Sequence, residues 1–313
     1  MLTRRHIRAK VMQSIYAIQQ SQSQDLDKEL KFLKNSADEM ENLYLLLMAL
    51  FTELHSLAVN QYEVAQKKYL ATSADKLLHQ KMKDNELLSL IASNEMLQKA
   101  IDDAHINLWN IQEEYVRTLY KLIVESDIYK LYSKQKATFE ADKKFLIEIF
   151  EEIIAPDEGL YEYIEDYNLT WLDDFPIVNT FIVRELKNLR PNPPEKYFIP
   201  SLYNNNEEKE YLLDLLKKTV LNDDKLRSFV ENKLTNWDKE RVALLDLILL
   251  KMAICEFMYF SSIPIKVTIN EYLELAKEYS TTKSSLFING VLNVVHKELE
   301  EKGLIKKVGR GLL

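Results

Sequence analysis

The chain has 313 residues, of which 47% are hydrophobic and 29% charged, with a formal net charge of −8. Such a length suits one large domain or two, and the apolar share excludes a chain that stays disordered. The acidic balance excludes a uniformly basic nucleic-acid binder, so any RNA contact must come from local clusters acting over a Debye length of roughly 8 Å.

Residues 3–20 read as a helix, with Thr3 as its cap and Ile7, Val11, Ile15 and Ile18 as one apolar stripe. The tract Ser21-Gln22-Ser23-Gln24-Asp25 breaks it. A longer helix is expected over 37–70, with Leu43, Leu46, Leu47, Leu50, Leu54 and Leu57 on its buried face. More helices are expected over 84–104, 106–137, 140–154, 157–166 and 174–189. Pro191, Pro193 and Pro194 cannot sit in a helix interior and mark a linker that ends near 206. Beyond it the pattern predicts helices over 207–221, 223–234, 238–260, 265–279 and 283–302. Pro264 opens one of these and Gly303 closes the last. With only 5 Gly and 7 Pro in the chain, turns are scarce, and the fold class is all-α.

The apolar stretch from Val242 to Phe260 is interrupted by Asp246, Lys251 and Glu256. Those charges point to a central bundle helix and against a bilayer span. Gly290, inside the last expected helix, suggests a close helix crossing. A similarity at an offset of 66 pairs Phe145, Leu146, Asp157 and Trp171 with Tyr211, Leu212, Asp223 and Trp237. It is the pattern of a degenerate partial repeat, which two amphipathic helices also imitate.

Candidate chemistry lies at the two ends. Arg4, Arg5, His6, Arg8 and Lys10 open the chain without an acid among them. Cations at a helix start oppose the helix dipole, so the cluster suggests an external anion such as phosphate, against the plain alternative of a solvated terminus. Near the other end, Tyr279, Lys283 and Phe287 recur at steps of four around a Ser/Thr-rich loop. Aromatic rings flanking a lysine suit single-stranded RNA, although Phe287 also fits a core position. Cys255 is the only cysteine, so neither an internal disulfide nor a cysteine metal cluster is expected, and a reducing cytoplasmic setting fits. His6, His55, His79, His105 and His296 share no metal-ligand spacing. Neither a Gly-rich phosphate loop nor a nucleophile elbow occurs, and no enzyme, metal or cofactor is expected.

The run Arg4-Arg5-His6-Ile7-Arg8-Ala9-Lys10-Val11-Met12-Gln13-Ser14-Ile15-Tyr16 resembles the Arg-rich opening of the NusB family. So do Val267-Thr268-Ile269-Asn270-Glu271, then Glu274-Leu275-Ala276-Lys277, then Phe287-Ile288-Asn289-Gly290-Val291-Leu292 in the C-terminal part. The resemblance covers about 1–24 and 207–300. It implies a NusB-like helical bundle with residues 25–206 as a helical insertion domain and 301–313 as a basic tail. It further implies an RNA-binding transcription antitermination factor that meets boxA of nascent ribosomal RNA together with the ribosomal protein NusE, within the RNA polymerase antitermination complex. By position, Arg4, Arg5, His6, Arg8 and Tyr16 would contact RNA from the first helix, Tyr279, Lys283 and Phe287 from the other side, and Asp246 would face NusE. His6 stands where the family often has Arg, Lys283 where it can have an acid, and Leu234 replaces a polar or aromatic position. A homodimer stays open, and the competing reading is a helical protein-interaction scaffold without RNA affinity. An RNA methyltransferase would need a cofactor domain with a Gly-rich loop, for which the chain has no motif.

Overall fold

A computed structural model describes residues 1–67, 78–203, 205–233, 243–281 and 283–312. Among the described residues every regular element is helical. The chain divides into two compact units, one of Met1 with Asp38–Leu202 and one of Leu2–Ala37 with Tyr203–Leu313. The expected boundaries at 24/25 and 206/207 thus move to 37/38, inside a helix, and to 202/203.

The first unit is built on most of helix α2 (Leu26–Lys67). Leu43, Leu46, Leu47, Leu50 and Leu54 are buried on it, as the leucine spacing predicts, while Leu57 is only half-buried. This helix is long and apolar enough to cross a membrane, but 61% of its most apolar window is buried inside the protein. Its hydropathy is that of a core helix. Short helices follow: α3 (Gln80–Lys83), α4 (Glu86–Ala92), α5 (Glu95–Asp103), α6 (Leu108–Ile111), α7 (Glu113–Glu125) and α8 (Asp127–Ser133). The two long helices expected over 84–104 and 106–137 are therefore broken. Asn94 and Ser126 explain two of the breaks, because their side chains accept from the backbone N–H of Leu97 and Tyr129 and start new helices.

Helix α9 (Phe139–Ile149) runs into a π-turn (Phe150–Ile154), and α10 (Glu158–Tyr167) and α11 (Phe175–Asn188) complete this unit. Its core holds a polar knot. Buried Asp142 accepts from Tyr132 Oη at 2.8 Å and from the Glu86 N–H at 2.9 Å, while Asn85 donates to Tyr132 Oη at 3.0 Å. Tyr132 and Phe145 stack at 4.1 Å. Asn85, Tyr132 and Asp142 thus each meet a partner, the condition for burying them at low cost.

The second unit holds α1 (Arg4–Ser21), α12 (Asn206–Leu221), α13 (Asp223–Glu231), α14 (Leu244–Tyr259), α15 (Ile265–Tyr279) and α16 (Ser284–Glu301). The first turns of α2 belong with it: Leu33 and Ala37 are buried, and Lys10 Nζ donates to Ser36 O at 3.3 Å and Oγ at 3.1 Å. Helix α14 is buried on all sides from Ile248 to Phe257, the central position expected of it. Pro264 caps α15 from outside its first turn, one position earlier than expected. Gly303 closes α16 in the left-handed region, with φ of +64°.

Three expectations need correction. The expected basic tail (301–313) does not stand away from the unit, since Lys307 and Val308 are hydrogen-bonded to the end of α14 and to Ser261 just beyond it. Gly290 does not mark a crossing within the protein, because it is exposed and a Cβ there would meet nothing within 4 Å. The Asp157–Asp223 pair of the offset similarity has two different tasks. Asp157 caps α10 by accepting from the Leu160 N–H, whereas Asp223 sits within α13 and holds buried Lys251. Its partner pair, Trp171 and Trp237, ends outside the described residues, as does Leu234.

Candidate nucleic-acid interface

The candidate residues fall in the second unit, and its core decides which of them reach solvent. Glu256 lies in the middle of apolar α14 and is fully buried. A lone carboxylate there would be costly, so partners must converge on it. Arg8 of α1 supplies a bidentate pair, Nε to Oε1 at 2.7 Å and Nη2 to Oε2 at 3.0 Å. Tyr211 Oη at 2.5 Å, Tyr272 Oη at 2.8 Å and Thr268 Oγ1 at 2.9 Å also donate to the same carboxylate. Burial alone would push the Glu256 carboxyl up, but the Arg8 guanidinium and these hydroxyls outweigh it and hold the carboxyl below its ordinary value. Burial and then the same carboxylate push the Tyr211 and Tyr272 hydroxyls well up. This clamp joins α1, α12, α14 and α15.

Arg8 is therefore corrected. It is 1% exposed, its guanidinium is taken up by Glu256, and the Tyr211 and Tyr272 rings flank it at 5.6 and 5.7 Å. It anchors α1 and does not present to RNA. The missing cue was Glu256, since an acid inside an apolar helix must find buried donors elsewhere in the chain.

The neighbouring arginines face outward. The Arg5 side chain is 43% exposed and forks onto Glu271 of α15, with Nε and Nη2 each 3.0 Å from an oxygen. That hydrogen bond, against burial and together with the charges of Glu271, Glu274 and Glu278, raises its pKa. Those three acids form one stripe of α15, so Arg5 lies along the helix that ends at Tyr279. Arg4 sits 3.8 Å from Glu207 and 5.4 Å from the Tyr211 ring. His6 is half-buried and belongs to a capping box: Thr3 Oγ1 accepts from the His6 N–H, and His6 Nδ1 accepts from the Thr3 N–H. Burial, then Arg5, lowers its pKa. Tyr16 is 42% exposed. It is 11 residues along α1 from Arg5, close to three whole turns, so the two share one side of the helix about 16 Å apart.

The second group sits at the joint between α15 and α16. Asp246 holds that joint: it accepts from Ser280 Oγ at 2.7 Å and Ser284 Oγ at 2.8 Å and is only 5% exposed. Asp246 is thus a buried fastener and not an outward residue for a partner protein. Around it, Lys283 is exposed while Tyr279 and Phe287 are half-buried. The Phe287 N–H donates to Lys283 O at 3.2 Å, so both stand on the first turn of α16.

The second unit thus carries an exposed arginine at the start of α1, a tyrosine farther along that helix, and an aromatic–lysine joint between α15 and α16. Among the described residues no group of acids, histidines or cysteines could hold a metal ion. Cys255 is buried, and burial pushes its thiol up to about 12, an inert core group.

A model of the NusB family matches residues 193–297, which span α12 to α16. Proteins named transcription antitermination protein NusB are similar to this chain. That of Chloroherpeton thalassium is 37% identical over 105 residues, 34% of this chain and 50% of its own. That of Salinibacter ruber is 34% identical over 34% of this chain and 66% of its own. That of Finegoldia magna is 39% identical over 32% of this chain and 73% of its own. A solved structure of T. maritima NusB matches 36% of this chain and 82% of its own at 26% identity, with a TM-score of 0.29. The chain spans half the length of the first relative, and residues 1–192, α1 among them, lie outside the family match. With 39% identity across nearly three quarters of a NusB, the chain belongs to the NusB family.

Proposed function

We propose that the second unit is an RNA-binding module of transcription antitermination, acting by assembly and not by catalysis. One observation carries it: the family sequence falls on α12–α16, and the same compact unit includes the Arg-bearing α1. The RNA is boxA of nascent ribosomal RNA, and NusE is the protein partner within the RNA polymerase antitermination complex. Arg4, Arg5 and Lys283 meet phosphates, His6 lines the same helix start, and Tyr16, Tyr279 and Phe287 offer ring faces to unstacked bases. The pairing of Arg5 with Glu271 does not prevent this, because a half-exposed ion pair contributes little and a phosphate can take its place.

Filter binding with boxA RNA, with and without NusE, tests the reading across a salt series. Retention should rise with NusE, and Arg5→Ala should lower the salt slope by about 0.7 for one lost phosphate on a single strand. Absence of retention under both conditions would replace the reading with a scaffold that has no RNA affinity.

A further inference from the structure

The C-terminal residues lie beyond the family match, yet they are docked on the second unit by hydrogen bonds of backbone and side chain. Helix α16 ends in a chain reversal: Gly303 N–H donates to Glu300 O and Leu304 N–H to Leu299 O, both at 2.9 Å. The returning chain crosses the end of α14. Lys307 Nζ donates to the carbonyls of Glu256 and Phe260, both at 3.0 Å, and so caps that helix. Val308 N–H donates to Ser261 O at 3.1 Å. Gly311 then lies directly on Ser261, where a Cβ would stand 1.9 Å from the carbonyl oxygen. Gly309 has φ of +53°. Two of the chain's 5 glycines thus flank Arg310, and each is required by backbone geometry.

The result is a placed cation. Arg310 Nη2 is 3.7 Å from Glu207 Oε2, and Arg4 Nη2 is 3.8 Å from the same oxygen. Two guanidinium groups share one carboxylate, which leaves net positive charge at the start of α1. Both distances exceed hydrogen-bond range, and the Arg310 side chain is 73% exposed, so its planar donors remain open to a better anion. Glu207 occupies the first turn of α12, where the helix dipole favours an acid.

We propose that residues 304–312 are a docked strap that adds Arg310 to Arg4 as one contact surface for the RNA phosphate backbone. This rests on the RNA-binding reading above. The strap extends the α1 surface with a residue that the NusB-matched region does not contain, and Glu207 is the internal anion that a phosphate displaces.

The test is fluorescence anisotropy of the full chain with labelled boxA RNA over a salt series. Four variants are compared: Arg310→Ala, Gly311→Ala, Glu207→Gln and Arg5→Ala. Arg310→Ala should weaken binding several-fold and lower the salt slope by about 0.7. Gly311→Ala keeps every charge but cannot keep the strap on Ser261, and should weaken binding to a similar degree. Glu207→Gln should strengthen binding. If Arg310→Ala matches the wild type while Arg5→Ala weakens binding, the strap inference is overturned and the RNA reading stands. If the wild type does not bind, both are overturned.

Discussion

Replacing Arg8 by Met separates a clamp from a contact. The change keeps the bulk of the buried stem and removes the only guanidinium on Glu256, which is 0% exposed. Breaking a buried ion pair by deleting one partner costs about 3–5 kcal/mol. Three neutral donors stay on the carboxylate, Tyr211, Tyr272 and Thr268, which places the loss near the lower bound, about 3 kcal/mol. Arg5→Met, three positions away, removes a half-exposed pair and should cost under about 1 kcal/mol. Urea unfolding followed by circular dichroism gives the totals, and hydrogen exchange on α14 amides assigns them to the second unit. Acid dependence adds a sign. With Arg8 present, the Glu256 carboxyl is held low, so its stabilisation exists above the ordinary 4.5 and is lost as pH falls through the folded value. Without Arg8, burial is less opposed and the carboxyl rises, so acidification should stabilise the variant through this group. A loss below about 1 kcal/mol, or an unchanged acid slope, would refute the clamp.

Three further outcomes follow from single groups. Asp246→Ala removes the acceptor of Ser280 and Ser284 and should cost about 1–3 kcal/mol, with faster hydrogen exchange at Phe287 and Ile288; unchanged exchange there would deny it the joint. The lowered pKa of His6 gives stability that is complete above 6.5 and drains as pH falls below it, so thermal scans should show His6→Gln with a flatter acid dependence than the wild type. Gly290→Ala on exposed α16 meets no neighbour and should raise stability by about 0.5–1 kcal/mol, whereas a loss would mean that this face is covered in solution.

The helices of the second unit were largely legible because each periodic run has its own stop. Helix α15 spans Ile265–Tyr279, as the pattern predicts. The first unit was less legible, because Asn94 and Ser126 start new helices from inside runs whose apolar spacing continues across them. A cap is a local competition between side chain and backbone that periodicity does not register. The boundary inside α2 is hidden for a similar reason: its polar residues change partners without any break in the helix. At the site, charge counting treated Arg4, Arg5 and Arg8 alike, while the fold separates them by turning Arg8 onto α14. Asp246 and Glu256 were visible as charges in an apolar helix, but Ser280 lies 34 residues from Asp246 and Arg8 lies 248 residues from Glu256. The strap escaped because a short basic end reads as solvated, and its docking shows only in the hydrogen bonds of Lys307 and Val308 and the space around Gly311.

The most direct measurement of the central claim is photocrosslinking of boxA RNA that carries a halogenated uridine, followed by peptide mapping by mass spectrometry. The account predicts crosslinks at Tyr16, Tyr279 or Phe287, the ring-bearing positions of the second unit, and their loss at high salt. Crosslinks confined to residues 38–202 would contradict it.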